Sequence, residues 1–378
     1  MPDRPRVLVV GPLPPPLGGV QLLVEMLLRS SLSRDHNLRV VNTSKGVLRW
    51  AVETPTWRTV PSFVRDLFAL AAALARFRPD LVIVHAAPSP SILRDWVFML
   101  LARSWGCRVV CHYRGTLHTR FPAAETRFGR AAGRMIMRPA HRVIALGPTY
   151  RARFAVAWKR DGIEWSPNVA DVAALRRVAG DPRGPWLAPG ERGVLFMGRL
   201  SRPRGIDVLF DAIPAVLARH PEARIVLAGV AETAAQEPRL RAEVARRGVA
   251  ERVTFLGSLE GAERARAWAS ASVFVAPSRI EAFPLVIPEA MACGVPMVVS
   301  AVGAIPDFVR DGEDGFLVPP GDPAALADRI GRLLDDEPLR QRIAARLRER
   351  ATREFDIEVA ADRVRSILRD VLQERGRR

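Results

Sequence analysis

The chain has 378 residues, 48% of them hydrophobic, which suffices for the cores of two domains and rules out wholesale disorder. Its three cysteines, Cys107, Cys111 and Cys293, exclude a disulfide framework and a zinc site by their odd count and irregular spacing, and they fit a reducing, cytoplasmic compartment. The net charge of +17 points to an anionic partner and is lopsided: residues 1–170 hold 25 Lys and Arg against 10 Asp and Glu, and the other 208 hold 32 against 30.

The apolar run before Gly11 is too short for a signal peptide, and no stretch reaches the roughly 18 apolar residues of a membrane span. RVLVVG (6–11) reads as a buried strand. Gly18 and Gly19 follow it, before a helix that starts near Val20. Glycines there either let the backbone approach an anion at a helix N-terminus or simply make the turn. DLVIVHA (80–86), CRVVCHY (107–113) and RVIALG (142–147) read as further strands, with helical segments between them.

Between Arg114 and Arg160 stand eleven basic residues and one acid, Glu125. Arg127, Arg130, Arg134 and Arg138 recur at helical spacing, flanked by Phe128, Ala132 and Met135. Such a stripe suits an anionic membrane surface, or is a solvated face in an arginine-rich chain with lysine only at 45 and 159. VAGDPRGPWLAPGERG (178–193), rich in Pro and Gly, reads as a linker.

The pattern then restarts with GVLFMG (193–198), ARIVLAG (223–229), RVTFLG (252–257), SVFVAPS (272–278) and PMVVS (296–300). Strand–helix alternation run twice predicts an α/β fold of two doubly wound parallel sheets. Ligands in such sheets bind beyond the carboxyl ends of the strands, so two facing sheets would place a site in the cleft between domains. Expected boundaries are residues 1–177, a linker at 178–192, a second domain at 193–355 and a final helix from 356 to 378.

Strand ends in the second half carry the chemistry. In FMGRLSRPRGIDVLFDAI (196–213), Arg199 and Arg204 flank a strand end and a helix start. They are either a diphosphate site or two solvated cations. In PSRIEAFPLVIPEAMACGVPMVVS (277–300), Glu281 lies in a loop, and Glu289 in the first turn of a helix that breaks at Gly294. One glutamate there would be a helix-dipole partner; two, in so apolar a setting, read as acceptors for sugar hydroxyls near a phosphate-binding helix start.

These motifs resemble the retaining glycosyltransferases of family 4, with the GT-B fold. The resemblance spans about residues 193–330 in order: GRL…RG, VTFLG, ASVFVAPS, EAFPLVIPE, AMACGVP and AVGAIPDFVRDGEDGFLVPPGD. It is looser over LGGV (17–20), VVCHYRG (109–115), VIALG (143–147) and PNVAD (167–171). It implies that Glu289 holds the ribose and that Glu281 holds the donor sugar and faces its anomeric carbon. Arg199 and Arg204 would hold the diphosphate. Backbone amides around Phe283, Pro284 and Leu285 are implied at the phosphates and sugar, Gly18 and Gly19 near the diphosphate or acceptor, and His112 near the sugar, with His118 as its rival. In the family the chain's last helix returns to the first domain.

The implied reaction is transfer from a nucleotide-diphosphate sugar with retention, no metal and no cofactor. The implied acceptor is a glycan or lipid-linked molecule at the inner face of a membrane. Several positions depart from the family pattern: Arg204 stands for a lysine, Ala282 for a glycine, Ala304 for the second glycine after AVG, and Arg114 for a histidine before Gly115. They bear on donor identity more than on reaction class. The rival readings are a nucleotide-sugar epimerase or hydrolase on the same fold, and a basic nucleic-acid-binding protein. Two tyrosines and no stacking pattern disfavour nucleic acid as a partner.

Overall fold

The computed structural model describes residues 4–15, 18–44, 60–87, 91–115, 126–178 and 186–374. Contacts divide the chain into two units, Met1–Asn168 with Ile357–Arg378, and Val169–Asp356. The first unit is built on β1 (Arg6–Gly11), β2 (Asn37–Asn42), β3 (Leu81–Ala86), β4 (Arg108–Tyr113), β5 (Arg142–Ala145) and β6 (Ile163–Trp165). The second is built on β7 (Arg192–Met197), β8 (Ala223–Ala228), β9 (Val253–Gly257), β10 (Ala271–Ala276), β11 (Met297–Ser300) and β12 (Gly315–Val318).

Both sheets are parallel throughout, in the orders β2-β1-β3-β4-β5-β6 and β12-β11-β10-β7-β8-β9. The expected α/β class is therefore present twice. The strand order reverses between β1 and β3 in one sheet and between β7 and β10 in the other. Those reversals leave a crevice at the carboxyl ends, where ligands of such sheets bind. The central strands are Val-, Ile- and Leu-rich runs buried on both faces, as parallel sheets covered by helices require.

Three strands escape a reading by hydrophobic runs: β2, β6 and β12. Each lies at a sheet edge. The NLRVVN of β2 buries only Val41 fully, and β6 has three residues. Edge strands need less apolar sequence, so the periodic signal there is weak.

The expected boundary at residue 177 moves to Asn168. The reason is the helix Val172–Val178, which packs on the helices Gly261–Ala269 and Val286–Cys293 of the second unit. Of the expected linker, residues 179–185 lie outside the described residues. The remainder is tied to the second unit: Trp186 Nε1 donates to Ser270 Oγ at 3.2 Å, and Glu191 accepts from Arg224 Nε at 2.7 Å.

The helix Ile357–Gln373 belongs to the first unit. Its Ala361, Val364, Ile367, Leu368 and Val371 recur every three or four residues and enter the core of Val7, Val9, Leu27, Leu81 and Ile83. Polar contacts fix it: Arg365 Nε meets Asp35 Oδ2 at 2.7 Å, and Arg363 lies over the Trp165 ring at 3.9 Å.

Candidate functional site

In the second unit, two loops meet at the β7/β10 reversal. One leaves β7 through Gly198 and Arg199, turns over residues 202–204 and enters the helix Ile206–Arg219. The other leaves β10 and reaches the helix Val286–Cys293. The backbone N–H groups of Arg279 and Ile280 donate to the Pro203 carbonyl at 2.9 and 3.3 Å. Gly205 has φ +75, and a Cβ on it would sit 1.8 Å from the Pro277 oxygen, so any side chain would force the loops apart.

This docking brings Arg204 onto Glu281 as an ion pair, with the Glu281 side chain nearly buried. Burial, and secondarily Arg199, lowers the Arg204 guanidinium to about 10, which leaves it charged at neutral pH. Glu281 Oε1 accepts from the Ala282 N–H at 2.9 Å. The loop is clamped from behind by Gly303, whose Cβ would lie 2.1 Å from the Glu281 carbonyl oxygen, and by the Ala304 N–H, which donates to Ala282 at 2.8 Å. Ala304 has ordinary backbone angles, so the fold does not call for the missing second glycine.

Glu289 is buried in the first turn of its helix. Its Oε2 accepts from Arg264 Nη2 at 2.6 Å, Arg264 Nε at 3.1 Å and Trp268 Nε1 at 3.1 Å; none of the three reaches Oε1. The sequence reading missed both partners. Their four-residue spacing on the helix Gly261–Ala269 was the available signal, since it puts two donors on one face. It also missed Arg279, which donates to Asp207 at 2.7 Å beside the same turn.

Phe283 is a core residue, its ring 4.6 Å from Phe308 and 6.0 Å from Phe355. Leu285 is buried too, so these residues could meet a ligand only through backbone. Within AVGAIPDFVRDGEDGFLVPPGD, the Asp314-Gly315 pair is a structural lock: Asp314 is fully buried and pairs with Arg350, which also donates to the Phe308 carbonyl at 3.0 Å.

In the first unit, Gly18 caps the helix Gly19–Arg29, and its carbonyl accepts from Leu22 at 3.0 Å. Gly18 is extended, and a Cβ on it would meet only the flexible end of Gln21. Neither strain nor crowding by backbone asks for glycine there.

His112 is the penultimate residue of β4, buried, and its Nδ1 accepts from Arg114 Nη2 at 3.2 Å. It stacks on His85 at the end of β3, with centroids 5.2 Å apart. Burial, then Arg114 and His85, hold His112 well below the usual imidazole range, so it is neutral at pH 7. His85 was not singled out from sequence, and the VIVHA strand end was its only signal. His118 lies outside the described residues.

On the helix Arg127–Met137, Arg127, Arg134 and Arg138 are exposed and Arg130 is half-buried. Phe128 and Met135 share the open face, 74% and 51% exposed, whereas Ala132 turns into the core rather than flanking the stripe. Among the described residues no helix is long and apolar enough to cross a membrane, and no group of three His, Cys, Asp or Glu is placed to hold a metal ion.

Two family models match the chain: "glycosyl transferase 4-like domain" over residues 13–168 and "glycosyl transferases group 1" over residues 191–336. The phosphatidyl-myo-inositol mannosyltransferase of Mycobacterium leprae is 38% identical over 206 residues, 54% of this chain and 52% of that protein. The D-inositol 3-phosphate glycosyltransferase of Acidothermus cellulolyticus is 37% identical over 192 residues, 48% of this chain and 42% of its own length. The match thus spans about half the length of these relatives. The solved sucrose-phosphate synthase of Thermosynechococcus elongatus shares the two-unit GT-B fold, with TM-score 0.77 and 22% identity over 98% of this chain and 100% of that one.

Proposed function

The chain belongs to the group 1 glycosyl transferases, and from that premise we propose that it moves a sugar from a nucleotide-diphosphate donor to a phosphate-bearing or lipid-linked acceptor. The observation that carries this reading is the Arg204–Glu281 pair at the β7/β10 reversal, with Arg199 on the same strand end. A donor diphosphate takes Arg204 from Glu281 and is neutralised by the two guanidinium groups and a helix N-terminus. Glu281, released, accepts hydroxyls of the donor sugar and faces its anomeric carbon. Glu289, with Oε2 fixed by Arg264 and Trp268, offers Oε1 to the ribose.

The transfer proceeds with retention and without a metal ion. The anomeric carbon–phosphate oxygen bond breaks, the bond to the acceptor oxygen forms, and the acceptor proton passes to the leaving phosphate. The cations at the diphosphate stabilise charge where it develops. The backbone around Phe283, Pro284 and Leu285 would contact the phosphates, and Gly18 and Gly19 would approach the diphosphate or acceptor. His112 acts as a neutral hydrogen-bond donor near the sugar.

The names of the relatives motivate the acceptor class, since both carry a phosphorylated inositol. Arg127, Arg130, Arg134 and Arg138, with Phe128 and Met135, would hold the enzyme at an anionic leaflet on the cytoplasmic side.

The test is thermal stabilisation across nucleoside diphosphates and nucleotide sugars, with Glu289→Ala as control. A ligand at 100 times its dissociation constant stabilises by about 2.7 kcal/mol. One nucleotide series should act on the native chain and lose its effect in the variant. Silence from every nucleotide would sink this function.

A further inference from the structure

Among the described residues, Arg114 is a buried cation with no carboxylate partner. It is 9% exposed. Its Nη1 donates to the Asn168 side-chain oxygen and its Nη2 to His112 Nδ1, both neutral acceptors, while its Nε has no partner. Burial alone draws it down, to about 9, and no carboxylate pulls it back. Beside it stand two neutral imidazoles. His85, 4% exposed, has neither ring nitrogen partnered, and His112, 3% exposed, has Nε2 unpartnered. Because Arg114 can only donate to His112 Nδ1, the His112 proton sits on Nε2.

An orphaned buried donor is costly, and an unpaired buried charge is costlier still. A core arrangement would have satisfied them with a carboxylate. Here they are gathered at the carboxyl ends of β3 and β4, next to the β1/β3 reversal, with Gly11 at the end of β1 against the His85 side chain. We propose that Arg114 and His85, with His112 as the residue that orients Arg114, form an oxyanion-binding site in the first unit that takes the phosphate group of the acceptor. One fixed cation and neutral donors suit the phosphate group of a phosphodiester or a phosphate monoester. The inference rests on the transferase reading for the word acceptor, and on the three side chains alone for the anion.

The experiment uses the full chain with a saturating nucleoside diphosphate present, so that added inorganic phosphate reports on the first unit. Phosphate binding is followed by calorimetry in the native protein, Arg114→Met and His85→Gln. The expected result is a dissociation constant at least tenfold higher in Arg114→Met and several-fold higher in His85→Gln, with nucleotide affinity unchanged in both. His85→Gln leaves both Arg114 hydrogen bonds in place, so it serves if the first variant folds poorly. Myo-inositol phosphate in solution and phosphatidylinositol vesicles then compete with inorganic phosphate in separate arms, and the stronger competitor identifies a soluble or a lipid phosphate. Equal phosphate affinity in all three proteins overturns the site while nucleotide binding stands. Loss of the nucleotide response alone overturns the transferase and leaves the site.

Discussion

Arg204 and Glu281 form an ion pair between the turn that follows β7 and the loop that follows β10. The pair exists because Gly205 lets the two backbones touch at Pro277 and because Pro203 accepts two N–H groups from the second loop. It is a charge relationship that a diphosphate can invert, since the guanidinium is the better partner for phosphate and the carboxylate for hydroxyls. Arg204→Met should therefore weaken nucleoside diphosphate binding and lower turnover on the order of 10²-fold, by the size of a lost transition-state donor. Glu281→Gln should retain the nucleoside diphosphate and lose turnover. Steady-state kinetics beside nucleotide calorimetry separates the two.

Gly205→Ala probes the same docking without touching a charge. The left-handed backbone and the Pro277 oxygen both oppose a Cβ at this position. The variant should lower the melting temperature and weaken nucleotide binding together. If nucleotide affinity held with the loops disturbed, the pairing of the two loops would be irrelevant to binding.

Trp268→Phe removes one of the donors on Glu289 Oε2 and keeps the ring packed on Phe274 at 5.0 Å. Because the Arg264 bonds remain, the expected loss is about 1 kcal/mol of stability, the size of one hydrogen bond. The nucleotide dissociation constant should rise several-fold as the carboxylate gains freedom. Glu289→Ala strands both donors and should cost more in stability as well as abolish the nucleotide response.

Several parts of this architecture were legible in the sequence for a physical reason. Buried parallel strands such as RVLVVG and LVIVHA are continuous apolar runs, and local composition reports them. Glu281 and Arg204 stood out because charges interrupt an apolar context at strand ends. What escaped was pairing at a distance. Nothing local says that Arg264 and Trp268 meet a glutamate on another helix, or that Phe283, beside a motif glutamate, belongs to a cluster with Phe308 and Phe355. His85 was invisible because a histidine ending an apolar strand has no significance until the neighbouring strand places His112 against it. The boundary near Asn168 was hidden because the helix Val172–Val178 declares its unit only through packing.

The buried histidines set the acid side of the stability profile. His85 and His112 are held well below the usual imidazole range, chiefly by burial, and the half-buried His141 is lowered to about 4. In the unfolded chain each titrates near 6.5. A folded-state pKa that is depressed means that the unfolded chain binds more protons between that value and 6.5, so stability is full above about pH 6.5 and falls as the pH is lowered toward 4. Each such group contributes at most about 1.36 kcal/mol per pH unit within its window. Asp95 works in the opposite sense, because burial raises its carboxyl, so the effect is best read as a difference. His85→Gln should flatten the slope of unfolding free energy against pH below about 6.5 by up to one proton, measured by urea titration at each pH. Parallel slopes for native and variant proteins would mean that His85 is not held neutral by the fold.

The open face of the helix Arg127–Met137 makes a separate prediction, independent of the donor site. Phe128 and Met135 lie seven residues apart, two helical turns, among Arg127, Arg134 and Arg138. Each arginine near an anionic leaflet contributes about 1 kcal/mol, within a Debye length of about 8 Å at physiological salt. Arg127→Glu with Arg134→Glu should cut co-sedimentation with phosphatidylinositol-containing vesicles at least tenfold, and Phe128→Ala should reduce it less. Half-molar salt should erase most of the native binding and little of what remains in Arg127→Glu/Arg134→Glu. Nucleotide binding, measured in the same samples, should be unchanged, because both substitutions lie on the exposed face and the pairing of Arg204 with Glu281 lies in the other unit. Vesicle binding equal in native and reversed proteins would make the stripe a solvated face and nothing more.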